Sequence, residues 1–462
     1  MRSDHDAATV TRRTGRFARS GRRRTHPRGE AGHLRELGLA DQGDAPRLCR
    51  GPLSRRARRR AARSAHGRRQ PARRADGVAR PRWASGMNTT INGVSIAAIA
   101  ASLPREVVAV DSFAARYGRH EVERIARSTG IEAIRVAGGL TTGDLSTAAA
   151  HSLCAAIDAD PASIDGLVLV TQTPDCAMPA TSALIAHRLG LRRDVVAFDL
   201  NFGCSGYIYG LYQAALLVAA GGCRRVLVCT GDVITKLLHP DDRHVRLVFG
   251  DAATATLIEQ GNDAIDFAFS TDGSGMQHLH TPLAYTDDAA HASRTGHLFM
   301  DGAQVMSFAL EQVPLAVNAF LATHRLTLDE VPLFLFHQAN RFMLHYLARK
   351  LGIAPQRMPV SVGAVGNTGP SSIPLTVSLA AAETGWRHQG VLACGFGVGL
   401  SVGVARLSLR NTVVAAPVDV GDETAGLADA PGPAPAPADD LLRQSTRKSS
   451  IGESNDHQYD LV

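Results

Sequence analysis

From Val94 to Leu407, short apolar runs alternate with segments whose apolar positions recur every three or four residues. The runs predict strands at Val94–Ala100, Leu167–Val170, Val195–Asp199, Val226–Cys229, Ala253–Ile258, Ile265–Phe269, Leu333–Phe336, Met358–Val362, Val391–Cys394 and Ser401–Leu407. The periodic segments predict helices over Glu121–Ser128, Ser146–Ile157, Ala180–Leu189, Cys204–Ala220, Asp301–His324, Arg341–Leu351 and Pro370–Ala382. Strands and helices in alternation predict an α/β chain, a sheet with helices packed on its faces.

The pattern also repeats. Leu167–Val170, then Thr181–Leu189 and Gly190, match Leu333–Phe336, then Arg341–Leu351 and Gly352. Val195–Asp199, a turn at Cys204, a helix, Gly221 and Val226–Cys229 match Met358–Val362, a turn at Asn367, a helix, Gly385 and Val391–Cys394. This weak internal duplication predicts two related lobes, 87–260 and 261–410, with a site where they meet.

Outside these lobes the pattern stops. Residues 1–86 lack a sustained apolar period and cannot bury enough surface to offset their ordering entropy, so disorder is expected there. Met87 opens a strand-like stretch and is the favoured start of translation, which would leave 1–86 untranslated. A basic nucleic-acid arm and an organellar transit peptide are the competing readings of that extension. The Ala-, Pro-, Asp- and Ser-rich segment 411–462 reads as a disordered tail.

Charge follows the same division. The chain's net charge of +7 averages an extension with 24 arginines and seven acidic residues against a body with 26 basic and 36 acidic ones. An acidic body offers no nucleic-acid-binding face. The seven cysteines form no CxxC pair and no metal-ligand spacing such as HExxH occurs, so a reducing, cytoplasmic setting without a structural metal is expected. No run of about 18 uncharged apolar residues predicts a membrane-spanning helix.

Three polar residues stand at the ends of apolar strands, where open α/β sheets place their ligands: Cys204, His337 and Asn367. Cys204 is read as opening its helix, where free N–H groups and the helix dipole favour a thiolate and lower its pKa. Each residue alone has a plain structural reading: a small buried residue, a core histidine, a turn asparagine. Together a thiol, an imidazole and an amide make up the machinery of covalent acyl transfer.

Nine motifs carry a resemblance. They are Ser128-Thr-Gly-Ile131, Pro179-Ala-Thr-Ser182, Cys204-Ser-Gly206, Asp242-Arg243, Phe249-Gly-Asp251, Met300-Asp-Gly302, His337-Gln-Ala-Asn340, Gly366-Asn-Thr368 with Ser372-Ile-Pro374, and Gly395-Phe-Gly-Val-Gly399. In this order, across about 92–408, they resemble the β-ketoacyl-(acyl carrier protein) synthase III family. The resemblance implies a thiolase-like fold, two duplicated βαβαβαββ-type lobes in an α-β-α-β-α layering. It also implies a homodimer, an acyl carrier protein as partner and no cofactor beyond the acyl thioester substrates.

The implied reaction is a ping-pong condensation, in fatty-acid initiation or a specialised-metabolite pathway. Cys204 would take an acyl group, malonyl on the carrier would lose CO2, and His337 and Asn367 would hold the enolate that attacks acyl-Cys204. Backbone N–H groups of Cys204 and Val398 would form the oxyanion hole, although the family has glycine at the latter position. Phe396 would line the pocket, and Met178 would close the partner's acyl tunnel. Arg243 would flank the coenzyme A cleft, and Arg341 would help dock the carrier from one position earlier than in the family. Arg124 and Ser128 replace the family's adenine-stacking tryptophan and nearby arginine. Losing that aromatic face and cation should weaken coenzyme A recognition and favour a carrier-bound or unusual acyl donor. The histidine-bearing segment Leu279–His297 is a further departure.

An enzyme of the same fold that passes the acyl group to an alcohol or amine is the main alternative. A Cys-His-Asn protease shares the trio, but its cysteine lies near the mature start in a different local context. A non-catalytic partner subunit of the family would usually lack the cysteine or histidine.

Overall fold

The computed structural model describes residues 87–283, 296–380 and 388–421. The 1–86 extension, His291, the end of the expected 370–382 helix and residues 422–462 lie outside the described residues.

Ten strands form one mixed sheet: β1 (Met87–Pro104), β2 (Gly166–Val170), β3 (Val196–Leu200), β4 (Arg225–Asp232), β5 (Ala252–Thr271), β6 (Phe334–Phe336), β7 (Gln389–Gly397), β8 (Ser401–Ser408), β9 (Val413–Val414) and β10 (Val418–Val420). The order is β6-β7-β8-β5-β4-β2-β3, and β1 runs antiparallel along β5. The first half of β5 pairs with β4, and its second half pairs with β8. Parallel strands β2 and β4 followed by antiparallel β5 therefore match parallel β6 and β7 followed by antiparallel β8. The duplication expected from the pattern is present in part: β2 and β4 have counterparts in β6 and β7, whereas β3 has none among the described residues.

The longer helices among the described residues are α1 (Arg119–Thr129), α2 (Thr142–Ala156), α3 (Thr181–Arg188), α4 (Gly206–Ala219), α5 (Gly302–Thr323), α6 (Arg341–Leu351) and α7 (Ser372–Leu379). Leu153 of α2 and Ile185 of α3 pack on Leu167, Leu227 and Leu257 of one sheet face. Ile208, Leu211 and Ala215 of α4, with Ile373 and Val377 of α7, fill the space between the two halves of the sheet. Val313, Val317 and Phe320 of α5, with Leu344 and Leu347 of α6, cover Phe334, Phe336 and Val404 on the far side. Five layers result, α-β-α-β-α. Helix α5 is long and apolar enough to cross a membrane, yet here it packs with α6 on the sheet.

Phe267 lies in the second half of β5, fully buried beside Tyr212 of α4 at 5.3 Å. Removing a side chain of this size from a core leaves a cavity, so Phe267→Ala should cost about 3–5 kcal/mol in denaturant unfolding.

Four expectations change. Ala253–Ile258 and Ile265–Phe269 are a single strand, which continues through Gly261, where Ser95 of β1 crosses without room for a side chain. Met358–Val362 is not a strand. The Gln338 amide holds it instead, donating to the Pro359 carbonyl at 3.2 Å and accepting the Ser361 N–H at 2.8 Å. The tail does not begin at 411, since β9 and β10 pair in parallel with β1. Helix α4 begins at Gly206, so Cys204 precedes it in a turn.

Candidate active site

Four chain turns converge on one cavity of about 620 Å³. Cys204 follows β3, His337 follows β6, Asn367 precedes the Gly369–Ser371 turn that leads into α7, and Phe396 and Gly397 end β7. Ile125, Val248, Phe249, Leu279, Met306 and Met343 make the wall largely apolar.

His337 is 2% exposed and lies edge-on to Phe396, with ring centroids 5.4 Å apart. Its Nδ1 is 2.8 Å from Ser372 Oγ, which leaves Nε2 for the cavity. Burial pushes the imidazole down to about 3, with the Gly369 backbone opposing, so the ring is neutral near pH 7. Asn367 is 5% exposed, and its Oδ1 accepts the Gly369 N–H at 3.0 Å. With the oxygen engaged, the amide N–H groups are the donors that face the cavity. Both Asn367 backbone groups are also fixed, to Val248 O at 2.8 Å and Gly250 N at 3.1 Å.

Cys204 is half-buried among these groups. Burial pushes its thiol up to about 12, and the Asp232 carboxylate adds to the rise, while N–H groups of Cys204 and Val398 oppose it. The expectation of a lowered thiol pKa is therefore corrected. Cys204 stands before the helix rather than in its first turn, and desolvation outweighs the oriented N–H groups. Val398 directs its backbone N–H at the sulfur, and its carbonyl accepts from Ser401 Oγ at 2.7 Å.

Gly397 could not be replaced without disturbing this approach. A Cβ there would stand 2.8 Å from Cys204 Cβ and 3.1 Å from Sγ, at a φ of +152°. Gly397→Ala should leave the circular dichroism spectrum unchanged and slow acylation of Cys204 on the order of 10²-fold.

The cationic candidates lie farther out. Arg124 and Ser128 line the cavity, whereas Arg243 sits in a shallower adjoining pocket with His239 and Asp242. Arg124 and Arg243 share Glu121, at 2.7 and 3.0 Å, and hold its carboxyl down at about 2. Arg341 donates to the Gly130 carbonyl at 3.0 Å and does not line the cavity. Met178 is 83% exposed, on a loop away from the cavity. Of the residues expected to act, the cavity brings together Cys204, His337, Asn367 and Phe396. The sequence reading assigned no role to Ser372, which orients His337, or to Asp232, although Ser372 stood inside a motif.

Comparison with known proteins follows the same residues. The model of 3-oxoacyl-[acyl-carrier-protein] synthase III matches residues 198–273, and that of its C-terminal part matches 321–409. The β-ketoacyl-[acyl-carrier-protein] synthase III of Lactococcus lactis subsp. lactis is 32% identical over 322 residues, covering 68% of this chain and 98% of that protein. The chain belongs to the β-ketoacyl-(acyl carrier protein) synthase III family. Among solved structures of this family, the 3-oxoacyl-(acyl carrier protein) synthase from Burkholderia xenovorans LB400 superposes with a TM-score of 0.69. It is 34% identical and covers 72% of this chain and 99% of its own. The priming β-ketosynthase of the R1128 polyketide biosynthetic pathway is also similar, with a TM-score of 0.62 at 28% identity over 69% of this chain and 96% of its own. The synthase III fold thus spans the described body, and the chain is an enzyme of this family.

Proposed function

We propose that this synthase III family member joins an acyl group to a malonyl unit by decarboxylative Claisen condensation through acyl-Cys204. The observation that carries the reading is the convergence of Cys204, His337 and Asn367 on one apolar cavity, with the Val398 N–H aimed at the sulfur.

In the first half-reaction Cys204 Sγ attacks the donor thioester carbonyl. The thiol proton passes directly to the departing carrier or coenzyme A thiolate, so His337 keeps its Nε2 proton for the second half-reaction. In the second, a malonyl group on acyl carrier protein loses CO2. Its enolate oxygen accepts from His337 Nε2–H and an Asn367 amide N–H, and its carbon attacks the acyl carbonyl. The oxyanion of that tetrahedral intermediate is held by the Cys204 and Val398 N–H groups until Cys204 leaves. Donors fixed beforehand in a dry, apolar space stabilise such developing charge far better than water does. Acyl carrier protein is the partner, and no cofactor takes part in these steps. Arg124 and Arg243 beside the cavity are both engaged by Glu121, which fits a carrier-bound donor better than a site that pairs the phosphates of coenzyme A. Exposed Met178 fits a dimer in which it closes the partner's tunnel.

CO2 release separates this reaction from transfer to an alcohol or amine. With an acyl donor and malonyl-carrier, CO2 should appear in step with the β-ketoacyl product. Acyl-Cys204 formation with turnover but no CO2 would select the alternative.

A further inference from the structure

Asp232 ends β4 and is 3% exposed. Its Oδ1 accepts from the Thr171 hydroxyl at 3.1 Å, the Gln172 N–H at 2.7 Å and the Thr173 hydroxyl at 3.1 Å. None of the described arginines, lysines or histidines pairs with it. A buried carboxylate without a cation is costly and usually has a use.

Its surroundings point to the site. Oδ2 lies 3.1 Å from where a Cβ on Gly369 would stand, and the Gly369 N–H is the group that fixes Asn367. Gln172, which donates its N–H to Asp232, packs its side-chain oxygen against Gly203, the residue before Cys204. Asp232 therefore lies against the Gly369 turn of one lobe and reaches the Cys204 turn of the other through Gln172, and its charge acts on the Cys204 sulfur.

We propose that Asp232 is a positioning residue that adds a second hold on the Cys204 proton: ionised, it opposes the thiolate on top of desolvation, and protonated, it withdraws that opposition. In the resting enzyme the proton that leaves Sγ goes to solvent through the cavity. Two like charges buried on either side of Gln172 disfavour each other, so the titrations of the two groups are linked. Burial pushes Asp232 up to about 7, which places its switch in the neutral range.

The other titratable groups around the pair are few. His337 faces the cavity from the second lobe and stays neutral across this range. His244 lines the cavity wall. Asp175 is held by the Thr141 hydroxyl and the Gly143 N–H, and Asp144 pairs with Arg188 at 3.1 Å, all on the segment and helices beside β2.

The test reads the thiol itself and so stands apart from the condensation reading. Alkylation of Cys204 by iodoacetamide is followed by peptide mass spectrometry from pH 5.5 to 9.5. In the wild type the logarithm of the rate should climb with pH, flatten into a shelf near pH 7, and climb again. Asp232→Asn keeps an oxygen for the three donors and removes the charge. Its profile should lose the shelf and run on the order of tenfold faster at pH 8. A wild-type profile without a shelf, or one that Asp232→Asn leaves in place, overturns the proposal. If Asp232→Asn does not fold, His244→Asn decides. A shelf that survives it supports Asp232, and a shelf that vanishes assigns the titration to His244 and overturns the proposal. A merely structural Asp232 would alter stability or turnover without moving this profile.

Discussion

Cys204→Ala should give no acyl adduct by intact-protein mass spectrometry and should lower condensation on the order of 10⁴–10⁶-fold. Decarboxylation of malonyl-carrier should survive at a measurable rate, because His337 and Asn367 are held by contacts that do not involve the sulfur. The other described cysteines cannot easily stand in. Cys229 and Cys394 are buried in β4 and β7, and burial pushes both thiols up. Cys176 is exposed and serves as an internal control, since it should alkylate in both proteins without carrying an acyl group. An acyl adduct that persists in Cys204→Ala would place the nucleophile elsewhere.

Asn367→Ala should divide the two half-reactions. Acylation of Cys204 should stay within a few-fold of wild type if, as proposed, the amide donates to the enolate and not to the acyl carbonyl. Decarboxylation and condensation should fall on the order of 10²–10³-fold, the usual loss on removing one fixed donor. The substitution also frees the Gly369 N–H, so the folded state should be verified by thermal unfolding. Equal loss in both half-reactions would contradict this division of labour between Cys204 and Asn367. Asn367→Asp offers a second reading: it keeps the acceptor for Gly369 and loses the donors, and should fail in decarboxylation alone.

Much of the architecture was legible because its signals are local. Helix α6 runs from Arg341 to Leu351 as expected, with Asn340 Oδ1 capping Met343 N–H at 2.8 Å and Gly352 ending it in a left-handed conformation. The strand order carries the duplication for the strands at Leu167–Val170 and Val226–Cys229, matched by those at Leu333–Phe336 and Val391–Cys394. What escaped the sequence depends on partners distant in the chain. Gly261-Asn262 has the composition of a turn, yet the strand continues through it where Ser95 crosses. Pro359 and Ser361 look like part of a strand until the Gln338 side chain takes the place of a neighbouring backbone. Strands as short as Val413–Val414 have no period of their own and exist because β1 pairs with them. The raised thiol of Cys204 depends on burial and on Asp232, 28 positions away in sequence, and neither is visible in the local Cys-Ser-Gly pattern.

Strand β5 spans 20 residues without a break, and both halves of the sheet use it. It acts as a splint between the half-sites rather than a hinge, so the sulfur of one lobe and the donors of the other are set at a fixed distance by covalent length and ladder register. A single residue inserted near Asn262 would turn every side chain beyond it to the opposite face, carrying Phe267 out of the interior. Severing the chain there would give two fragments, each with half a strand and an unpaired edge, so neither would be a free-standing protein. The geometry of the chemistry is thereby set by the one strand that the two halves share.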